Sequence, residues 1–395
     1  MRKQAEGQEK KTNKKKRERV RWKKVGELRS GDFLLTIFTA ALVIFGIIMV
    51  FSASYYYSIS QDGTPYSYLR RQIIWVVIGS AAMIFGAAFD YRKYRKFAIP
   101  LLILGVILLA LIFTPLGHTA NDATRWLKVG PVTFMPGEFA KLFVIIFTAW
   151  FLSEKPGRIK SVTRGILPLV GVAAVYGILI VKQPNLSTAI TVCGIIVAMM
   201  LVAGMKWRYV FGAAALGGAG ILSILLFMKD SYWYRRLTSF VDPFQDSLGE
   251  GYQAVQSLLA LGSGGLFGVG LGKSVQKNLY LPEPQNDFIL AIIGEELGFI
   301  GIILLLALYC CFLWRGVHIA INAPDQFGML LASGIVLMVG IQVILNIAVV
   351  TSSMPPTGIN LPFISYGGNA LLMFMFSAGV LLNISRHKPK NTGVE

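Results

Sequence analysis

Residues 279–314 read LYLPEPQNDFILAIIGEELGFIGIILLLALYCCFLW, and this segment indicates the class of fold most clearly. Its apolar part runs from Phe288 to Trp314, which exceeds the length of about 18 residues at which an apolar run predicts a transmembrane helix. Glu295 and Glu296 lie about two turns inside this run, where a carboxylate costs about 2.5–3.5 kcal/mol on insertion scales. Because ionisable residues in a span are usually functional, we expect an integral membrane protein with its chemistry near this helix.

The composition of the whole chain agrees with a protein that crosses the membrane several times. Hydrophobic residues make up 54% of the 395 positions, and the mean hydropathy is +0.60. The net charge of +18 does not indicate a nucleic-acid partner, because 13 of the 38 lysines and arginines lie in residues 1–32. This segment has too few apolar residues to fold alone. We interpret it as a cytoplasmic tail that touches anionic membrane lipids, with a partner-binding tail as the alternative.

Ten apolar spans are predicted, and together they form one all-α membrane domain over residues 33–385, followed by a short cytoplasmic tail at 386–395. The fifth and sixth spans are separated only by KQPN at 182–185, where proline breaks the helix. The ten spans are 33–53, 72–89, 97–114, 138–153, 165–181, 187–205, 209–228, 288–314, 327–350 and 369–385.

The distribution of basic residues predicts that both termini are cytoplasmic. In that orientation the cytoplasmic segments contain 27 lysines and arginines and the outer segments contain 10, in agreement with the positive-inside rule. Three outer segments are then long, namely 115–137, 351–368 and the large extracellular loop 229–287. Loops longer than about 12–15 residues are usually functional or disordered, and these do not have the composition of disordered chain. We therefore expect the functional surface on the outer face.

Acidic residues at the start of the eighth span are the first candidates for catalysis. Asp287 precedes this span directly, so it either caps the helix or serves as a reactive carboxylate, with Glu283 nearby. Glu295 and Glu296 also have a structural interpretation, in which they are interior charges with partners that fix helix packing. Histidine and cysteine do not suggest a metal site. The histidines are widely scattered (His118, His318 and His387), and the cysteines lie in apolar spans without CxxC spacing (Cys193, Cys310 and Cys311).

Other residues predict either a polar cavity or a purely structural role. Glu138 and Lys141 are spaced i, i+3 on one helix face, where they can form an ion pair. Arg125 beside Trp126 is either a membrane-surface anchor or a clamp for a phosphate. The uncharged, proline-rich tract 346–369 is either an ordinary outer turn or a re-entrant segment whose backbone is satisfied by protein. Together these residues predict an outward-facing groove for an amphiphilic, lipid-linked ligand.

Several long motifs resemble the SEDS family, the shape, elongation, division and sporulation proteins. The resemblance covers about residues 30–388, and the ending LLNISR at 381–386 is more similar to the FtsW and SpoVE branch than to RodA. Two positions depart from the family pattern, Asn185 and the pair Gln285–Asn286. The motifs are ATRWL (123–127), PGEFAKL (136–142), GLFGVGLG (265–272), YLPEPQNDFI (280–289), GEELGF (294–299) and PPTGINLPFISYGGN (355–369).

The resemblance implies ten transmembrane helices with cytoplasmic termini and a peptidoglycan glycosyltransferase of the bacterial plasma membrane. Such an enzyme polymerises lipid II into β-1,4 glycan strands for division, elongation or sporulation, with a class B penicillin-binding protein as transpeptidase partner. Asp287 matches the family's essential loop aspartate, either as catalytic base or as ligand of a Mg²⁺ or Mn²⁺ ion, and no organic cofactor is expected. The alternatives are a lipid II flippase and a non-catalytic division scaffold. The residues expected to bind substrate are Arg125, Glu138, Lys141, Arg235, Arg236, Glu283, Glu295, Glu296, Ser365 and Asn369.

Overall fold

A computed structural model describes residues 31–120, 123–130, 132–212, 218, 240, 242–244, 247, 249 and 251–387. Nearly all of the predicted tail 1–32, most of the predicted span 209–228, Arg235, Arg236 and residues 388–395 lie outside this part of the chain. The helices are α1 (Phe33–Asp62), α2 (Ser67–Ala88), α3 (Tyr94–Leu111), α4 (Pro136–Glu154), α5 (Leu167–Val181), α6 (Leu186–Val202), α7 (Tyr252–Gly264), α8 (Ile289–Ile321), α9 (Gln326–Val350) and α10 (Gly368–Ser385). The strands are β1 (Gly117–Ala120), β2 (Ala123–Val129) and β3 (Val132–Phe134).

The prediction of a mostly helical, multi-pass membrane protein is confirmed. Eight helical stretches are long and apolar enough to cross a membrane, and α6 is a shorter apolar helix. Each predicted span except 209–228 therefore corresponds to a helix in the described part of the chain. The break at 182–185 is also confirmed, because α5 ends at Val181 and α6 begins at Leu186. Asn185 Oδ1 caps α6 by accepting a hydrogen bond of 3.3 Å from the backbone N–H of Thr188.

Glycines allow α2 and α10 to pack with their backbones in contact. A Cβ atom built on Gly86 would lie 2.8 Å from the carbonyl oxygen of Phe376, and one built on Gly379 would lie 2.1 Å from that of Met83. No side chain fits at such distances, so small residues are needed on both helices. This close approach holds α10 against α2, and both helices contribute to the wall of a polar cavity.

Segment 115–137 contains a three-stranded antiparallel sheet in the order β1-β2-β3, which the all-α prediction did not include. Residues 123–129 are ATRWLKV, in which β-branched and aromatic residues favour an extended chain. Val129 pairs with Val132, so the turn between β2 and β3 contains two residues. Gly130 has a φ of +62°, as the favoured two-residue hairpin turns require. Arg125 belongs to β2, and its side chain lines the polar cavity.

Helix α8 is broken at Gly298, although the sequence predicted a continuous span. Gly298 has a φ of +69°, and residues 265–270 fill the break with their own backbone. A Cβ built on Gly268 would lie 2.2 Å from the carbonyl oxygen of Glu296, which explains why this segment is rich in glycine. Four hydrogen bonds satisfy the broken helix: Val269 N–H to Glu295 O (2.9 Å), Gly270 N–H to Glu296 O (3.0 Å), Phe299 N–H to Gly265 O (2.9 Å) and Ile300 N–H to Leu266 O (3.1 Å).

The uncharged segment 351–367 between α9 and α10 is buried over most of residues 357–365, in agreement with the re-entrant interpretation. Phe363 and Ile364 are almost completely buried, and α1 approaches them at Gly46, where a Cβ would lie 2.7 Å from the carbonyl oxygen of Phe363. Protein groups therefore take the place of water around this backbone. Three helices donate side-chain hydrogen bonds to its carbonyls: Ser187 of α6 to Thr357, Tyr309 of α8 to Pro362 and Asn346 of α9 to Ile359.

The orientation of the bundle is a prediction that cysteine labelling can test. The positive-inside rule predicts that residue 247 faces the outside and residue 161 the cytoplasm. In a background with the three native cysteines replaced by alanine, Ser247→Cys should react with an impermeant maleimide on intact protoplasts. Ser161→Cys should react only after lysis. Labelling of position 161 but not 247 on intact cells would reverse the predicted orientation.

Candidate functional site

A polar cavity of about 340 Å³ lies where the small sheet, segment 351–367 and the residues before α8 meet. A second cavity of about 380 Å³, beside the break in α8, has no charged residue in its lining and offers no group for catalysis. The polar cavity brings together six of the predicted site residues: Arg125, Glu138, Lys141, Glu283, Asp287 and Asn369. Its lining also includes Trp75, Thr188, Gln342, Gly358, Asn360 and Tyr366.

Asp287 is held at the junction of α8, α9 and segment 351–367. Its backbone carbonyl accepts a hydrogen bond of 2.8 Å from Asn346 Nδ2, which also donates to the carbonyl of Ile359 at 2.7 Å. The side chain approaches Gly358, where a Cβ would lie 3.2 Å from Asp287 Oδ2 and 3.4 Å from Arg125 Nη1. Glycine at position 358 therefore leaves room for the carboxylate and the guanidinium to face the same space.

The carboxylate of Asp287 does not cap α8. The helix begins after Phe288, and no side-chain capping hydrogen bond is made at its first turn. Among the described residues, the backbone carbonyl of Asp287 accepts a side-chain hydrogen bond from Asn346, and no hydrogen bond to the carboxylate oxygens is found. The capping interpretation therefore has no support in the structure, and the carboxylate is available to a ligand.

The pKa of the Asp287 carboxyl is raised from 3.8 to about 6. Burial is the main cause, because it disfavours the charged form. The carboxylate of Glu283 raises the pKa further, the guanidinium of Arg125 lowers it, and the carboxylate of Glu138 raises it. A carboxyl with a pKa close to the working pH is well suited to accept and release a proton.

Short hydrogen bonds hold the residues just before Asp287. Glu283 Oε2 accepts a bond of 2.8 Å from Asn286 Nδ2, and the carbonyl of Asn286 accepts one of 2.6 Å from Ser365 Oγ. The backbone N–H of Tyr366 donates to the carbonyl of Gln285 at 2.9 Å. Ser365 is buried outside the cavity lining, so the structure places it as a link between segment 351–367 and the Asp287 loop.

Glu138 and Lys141 form a buried ion pair in the cavity wall, so both interpretations of the pair apply. Lys141 Nζ lies 2.6 Å from Glu138 Oε2 and donates to Gln342 Oε1 at 3.0 Å. The same ammonium lies 5.5 Å from the ring centre of Phe374, which adds a cation–π contact. Lys141 is 2% exposed and Glu138 6%, so this charge pair is removed from bulk water while it borders the cavity.

Arg125 lies in the cavity wall, which favours a ligand-binding role over a membrane-surface anchor. Its Nη2 donates a hydrogen bond of 2.5 Å to the carbonyl of Pro184, in the break between α5 and α6. Its Nη1 lies on the side of Gly358 and Asp287. Because Nη2 is fixed by backbone, the guanidinium has a set direction in the cavity wall, and arginine is well suited to bind anionic groups.

Glu295 and Glu296 lie outside the cavity and hold the segment that leads to Asp287. Glu296 Oε1 is 2.7 Å from Lys277 Nζ, and both carboxylate oxygens accept from Ser52 Oγ of α1 at 2.7 Å. Glu295 accepts hydrogen bonds from Ser274 Oγ at 2.5 Å and from the backbone N–H of Val275 at 2.8 Å. The structure thus agrees with the interpretation of these acids as partnered charges.

The sequence did not point to several residues that the cavity uses. Gln342 carried a readable signal, since it lies four residues before Asn346, the first residue of the tract 346–369, and the two amides mark a polar stripe on the otherwise apolar α9. Lys277 is a lysine in a polar loop, and its buried pairing with Glu296 depends on tertiary structure. Trp75 of α2 carried no sequence signal of a place in the cavity, whereas Tyr366 lies in the tract 346–369 that the sequence had marked.

The cavity fits a divalent cation only together with oxygen atoms from a ligand. No group of three or more His, Cys, Asp or Glu side chains that could hold a metal is found in the described part of the chain. Asp287 and Glu283 line the same cavity, and the buried Asn286 Oδ1 has no hydrogen-bonding partner there. Mg²⁺ usually binds one or two carboxylates together with waters and substrate phosphates. This set of oxygens suits such a site.

Comparison with known protein sequences gives consistent matches over nearly the whole chain. Residues 32–390 match the family of FtsW, RodA and SpoVE, which is described as cell cycle protein. Stage V sporulation protein E of Bacillus subtilis is 43% identical over 359 residues, which cover 91% of this chain and 98% of that protein. The probable peptidoglycan glycosyltransferase FtsW of Geobacter metallireducens is 38% identical over 362 residues, which cover 91% and 96%.

Solved structures with the same fold come from the same group of proteins. A chain of a peptidoglycan synthase complex, described as coordinating polymerization and crosslinking, superposes with a TM-score of 0.75 at 26% identity. That match covers 90% of this chain and 98% of the other. The rod shape determining protein RodA of Thermus thermophilus gives a TM-score of 0.66 at 27% identity, with 90% and 97% covered.

Proposed function

Because the chain belongs to the SEDS family of FtsW, RodA and SpoVE, we propose that its polar cavity polymerises lipid II, with Asp287 as the reacting carboxylate. Its class, a multi-pass peptidoglycan glycosyltransferase of the plasma membrane, follows from membership of this family. The observation that carries the proposal is that a carboxylate with a raised pKa and two cationic side chains, Arg125 and Lys141, line one cavity.

The stereochemistry of the reaction requires a direct displacement, in which a base assists the attacking hydroxyl. Lipid II carries its pyrophosphate in the α configuration, whereas the glycan strand is β-1,4-linked, so a single inversion at the anomeric carbon is needed. The 4-hydroxyl of the acceptor GlcNAc attacks that carbon directly, and the bond to the pyrophosphate oxygen breaks. Asp287 accepts the hydroxyl proton, and a well-placed general base contributes about 10²–10⁴-fold to the rate.

The leaving pyrophosphate needs positive charge close to the anomeric carbon. Arg125 presents its Nη1 on the same side of Gly358 as the Asp287 carboxylate, so it is placed to bind a phosphate beside the base. Lys141 is bound to Glu138 and Gln342, so it contributes as part of a fixed charge pair in the wall. Arg235 and Arg236 are further candidates in the outer loop.

A divalent cation would be held by Asp287 together with the pyrophosphate oxygens, with Glu283 and Asn286 close enough to support it. A Mg²⁺ or Mn²⁺ ion there would neutralise charge that develops on the leaving group. Asp287 would then contribute as a ligand, and a requirement for the metal in the polymerisation assay would support this role.

The glycan strands that this reaction makes are substrates for crosslinking. One solved relative belongs to a complex that coordinates polymerization and crosslinking. We therefore propose that this chain works with a transpeptidase, which the sequence resemblance specifies as a class B penicillin-binding protein. Polymerisation by the purified chain with such a partner would also exclude the flippase and scaffold alternatives, since neither forms glycosidic bonds.

The pH dependence of polymerisation tests the role of Asp287 as base. The Asp287 carboxyl must be deprotonated to accept a proton, so kcat/KM should fall about tenfold per pH unit below a pH of about 6. Glu283→Gln removes a charge that raises this pKa, so the acidic limb of the profile should move to lower pH. Initial rates with fluorescent lipid II would be measured from about pH 5 to pH 8 on protein shown to stay folded. An acidic limb that does not move in Glu283→Gln would contradict the assignment.

A further inference from the structure

Three tyrosines form a continuous row that begins at the cavity and leads away from it. Tyr366 lines the cavity, and its ring centre lies 4.8 Å from that of Tyr68 at an interplanar angle of 63°. Tyr68 in turn lies 5.9 Å from Tyr57 at 74°. All three side chains are partly exposed. Tyr57 lies near the end of α1 and Tyr68 near the start of α2, so the row follows the end of the bundle where these two helices meet, and both residues lie outside the predicted spans 33–53 and 72–89.

Charged groups border this tyrosine row on both sides. The guanidinium carbon of Arg71 lies 5.8 Å from the ring centre of Tyr68, and Arg71 Nη2 lies 3.5 Å from Asp62 Oδ2. On the cavity side, Glu283 lines the same cavity as Tyr366. Rings that are flanked by an arginine and an acid border a polar space rather than lipid tails.

Other tyrosines of the same region account for the anchoring of the bundle in the membrane surface. Tyr55, Tyr56 and Tyr66 are exposed, and they pack with one another or with Phe51: ring centres are 5.2 Å apart for Tyr55–Tyr56 and 5.8 Å apart for Phe51–Tyr66. Exposed tyrosines at the end of a span are typical of an interfacial aromatic belt. The row of Tyr57, Tyr68 and Tyr366 is a separate set, because it is joined to the cavity.

We propose that the row of Tyr57, Tyr68 and Tyr366 binds successive sugar rings of the growing glycan strand as it leaves the cavity. This inference rests on the proposed function and adds a binding site for the polymer. The axial C–H groups of a β-linked pyranose form an apolar face, which packs on the electron-rich face of an aromatic ring, while its hydroxyls need polar partners. Tyrosine hydroxyls, Arg71 and Glu283 supply such partners along the row.

The geometry of the row matches a polymer better than a single sugar. The rings pack edge to face, with 4.8 and 5.9 Å between ring centres, so the three tyrosines form one continuous aromatic surface that is longer than a single sugar ring. The rings are tilted against each other, so successive sugars meet differently oriented faces, as they do along a twisting chain. A strand held in this way stays attached between rounds of addition, so the row favours long products.

Strand length is the measurement that tests this site. Tyr68→Leu removes the central ring, and we expect the median glycan length to fall about two- to tenfold, the factor expected from the loss of one aromatic contact. Tyr68→Phe keeps the ring and should restore most of the length. Tyr56→Leu changes an exposed belt tyrosine on the same helix as Tyr57 and is the matched control, with wild-type strand lengths. Products of fluorescent lipid II would be resolved on gels at equal consumption of substrate.

A direct binding measurement separates this inference from the proposed function. Chitotetraose, a soluble β-1,4-linked oligosaccharide, should receive saturation transfer from wild-type protein and from Tyr56→Leu, and much less from Tyr68→Leu. Wild-type polymerisation with equal strand lengths in Tyr68→Leu would overturn the inference and leave the proposed function intact. If the wild-type protein forms no polymer, the proposed function fails, and the absence of saturation transfer to chitotetraose would then overturn the sugar site as well.

Discussion

Asp287→Asn is expected to reduce lipid II polymerisation by at least about 10², while expression and melting stay close to those of the wild type. The substitution is nearly isosteric, and the backbone carbonyl that accepts from Asn346 is unchanged. Asparagine can neither accept the proton of the attacking hydroxyl nor hold a divalent cation as a carboxylate does. Purified variant and wild type would be compared with labelled lipid II, Mg²⁺ or Mn²⁺, and the transpeptidase partner.

Asp90→Asn is the matched control for this experiment. Asp90 Oδ1 caps a short 3₁₀ helix by accepting from the backbone N–H of Arg92 at 3.0 Å, and asparagine can cap in the same way. This variant should polymerise lipid II at the wild-type rate. Long strands from Asp287→Asn would end the assignment of Asp287, and the other carboxylates of the cavity, Glu283 and Glu138, would become the candidates.

Lys141→Met is expected to lower the free energy of unfolding by about 3–5 kcal/mol, because it leaves the buried carboxylate of Glu138 without its partner. The double variant Glu138→Gln with Lys141→Met should recover part of this loss, since an amide is less costly to bury than an unpaired charge. Thermal melting and folded yield in detergent would measure both effects.

Lys128→Met is the control for the loss of a lysine as such. Lys128 is an exposed residue of β2, and surface substitutions usually change stability by less than about 0.5 kcal/mol. If Lys141→Met gave full folded yield and a normal melting temperature but no polymer, the structural account of the pair would be wrong. Lys141 would then be a lysine that binds substrate.

The membrane spans were predictable because their signal is local. A run of about 18 apolar residues must lie in a hydrophobic environment wherever its neighbours are, so nine of the predicted spans correspond to helices in the described residues. The break of α8 was not predictable in this way. Gly298 can leave the helical conformation only because residues 265–270 supply the missing hydrogen bonds, and that pairing is tertiary.

The candidate site was predictable as a set of residues but not as an arrangement. Asp287, Glu138 and Lys141 were identified because charges beside apolar runs are costly and therefore informative. Their partners lie far away in sequence: Gln342, for example, is 201 residues from Lys141. Glu295 and Glu296 gave an equally strong signal and lie outside the cavity, since the cost of burying a charge is the same for a structural pair as for a reactive group.

The hydrogen bonds around Asp287 also have a consequence for biosynthesis, because they come from residues that are made after it. The carboxylate is placed through Asn346 on α9 and through Ser365 on the segment before α10, both of which are translated after residue 287. A chain grows from its N-terminus, so the loop with Asp287 leaves the ribosome before its supports have been made. These hydrogen bonds can therefore form only after residue 365 has been added. A nascent or interrupted product that ends before residue 346 contains Asp287 but lacks the side chains that hold its loop.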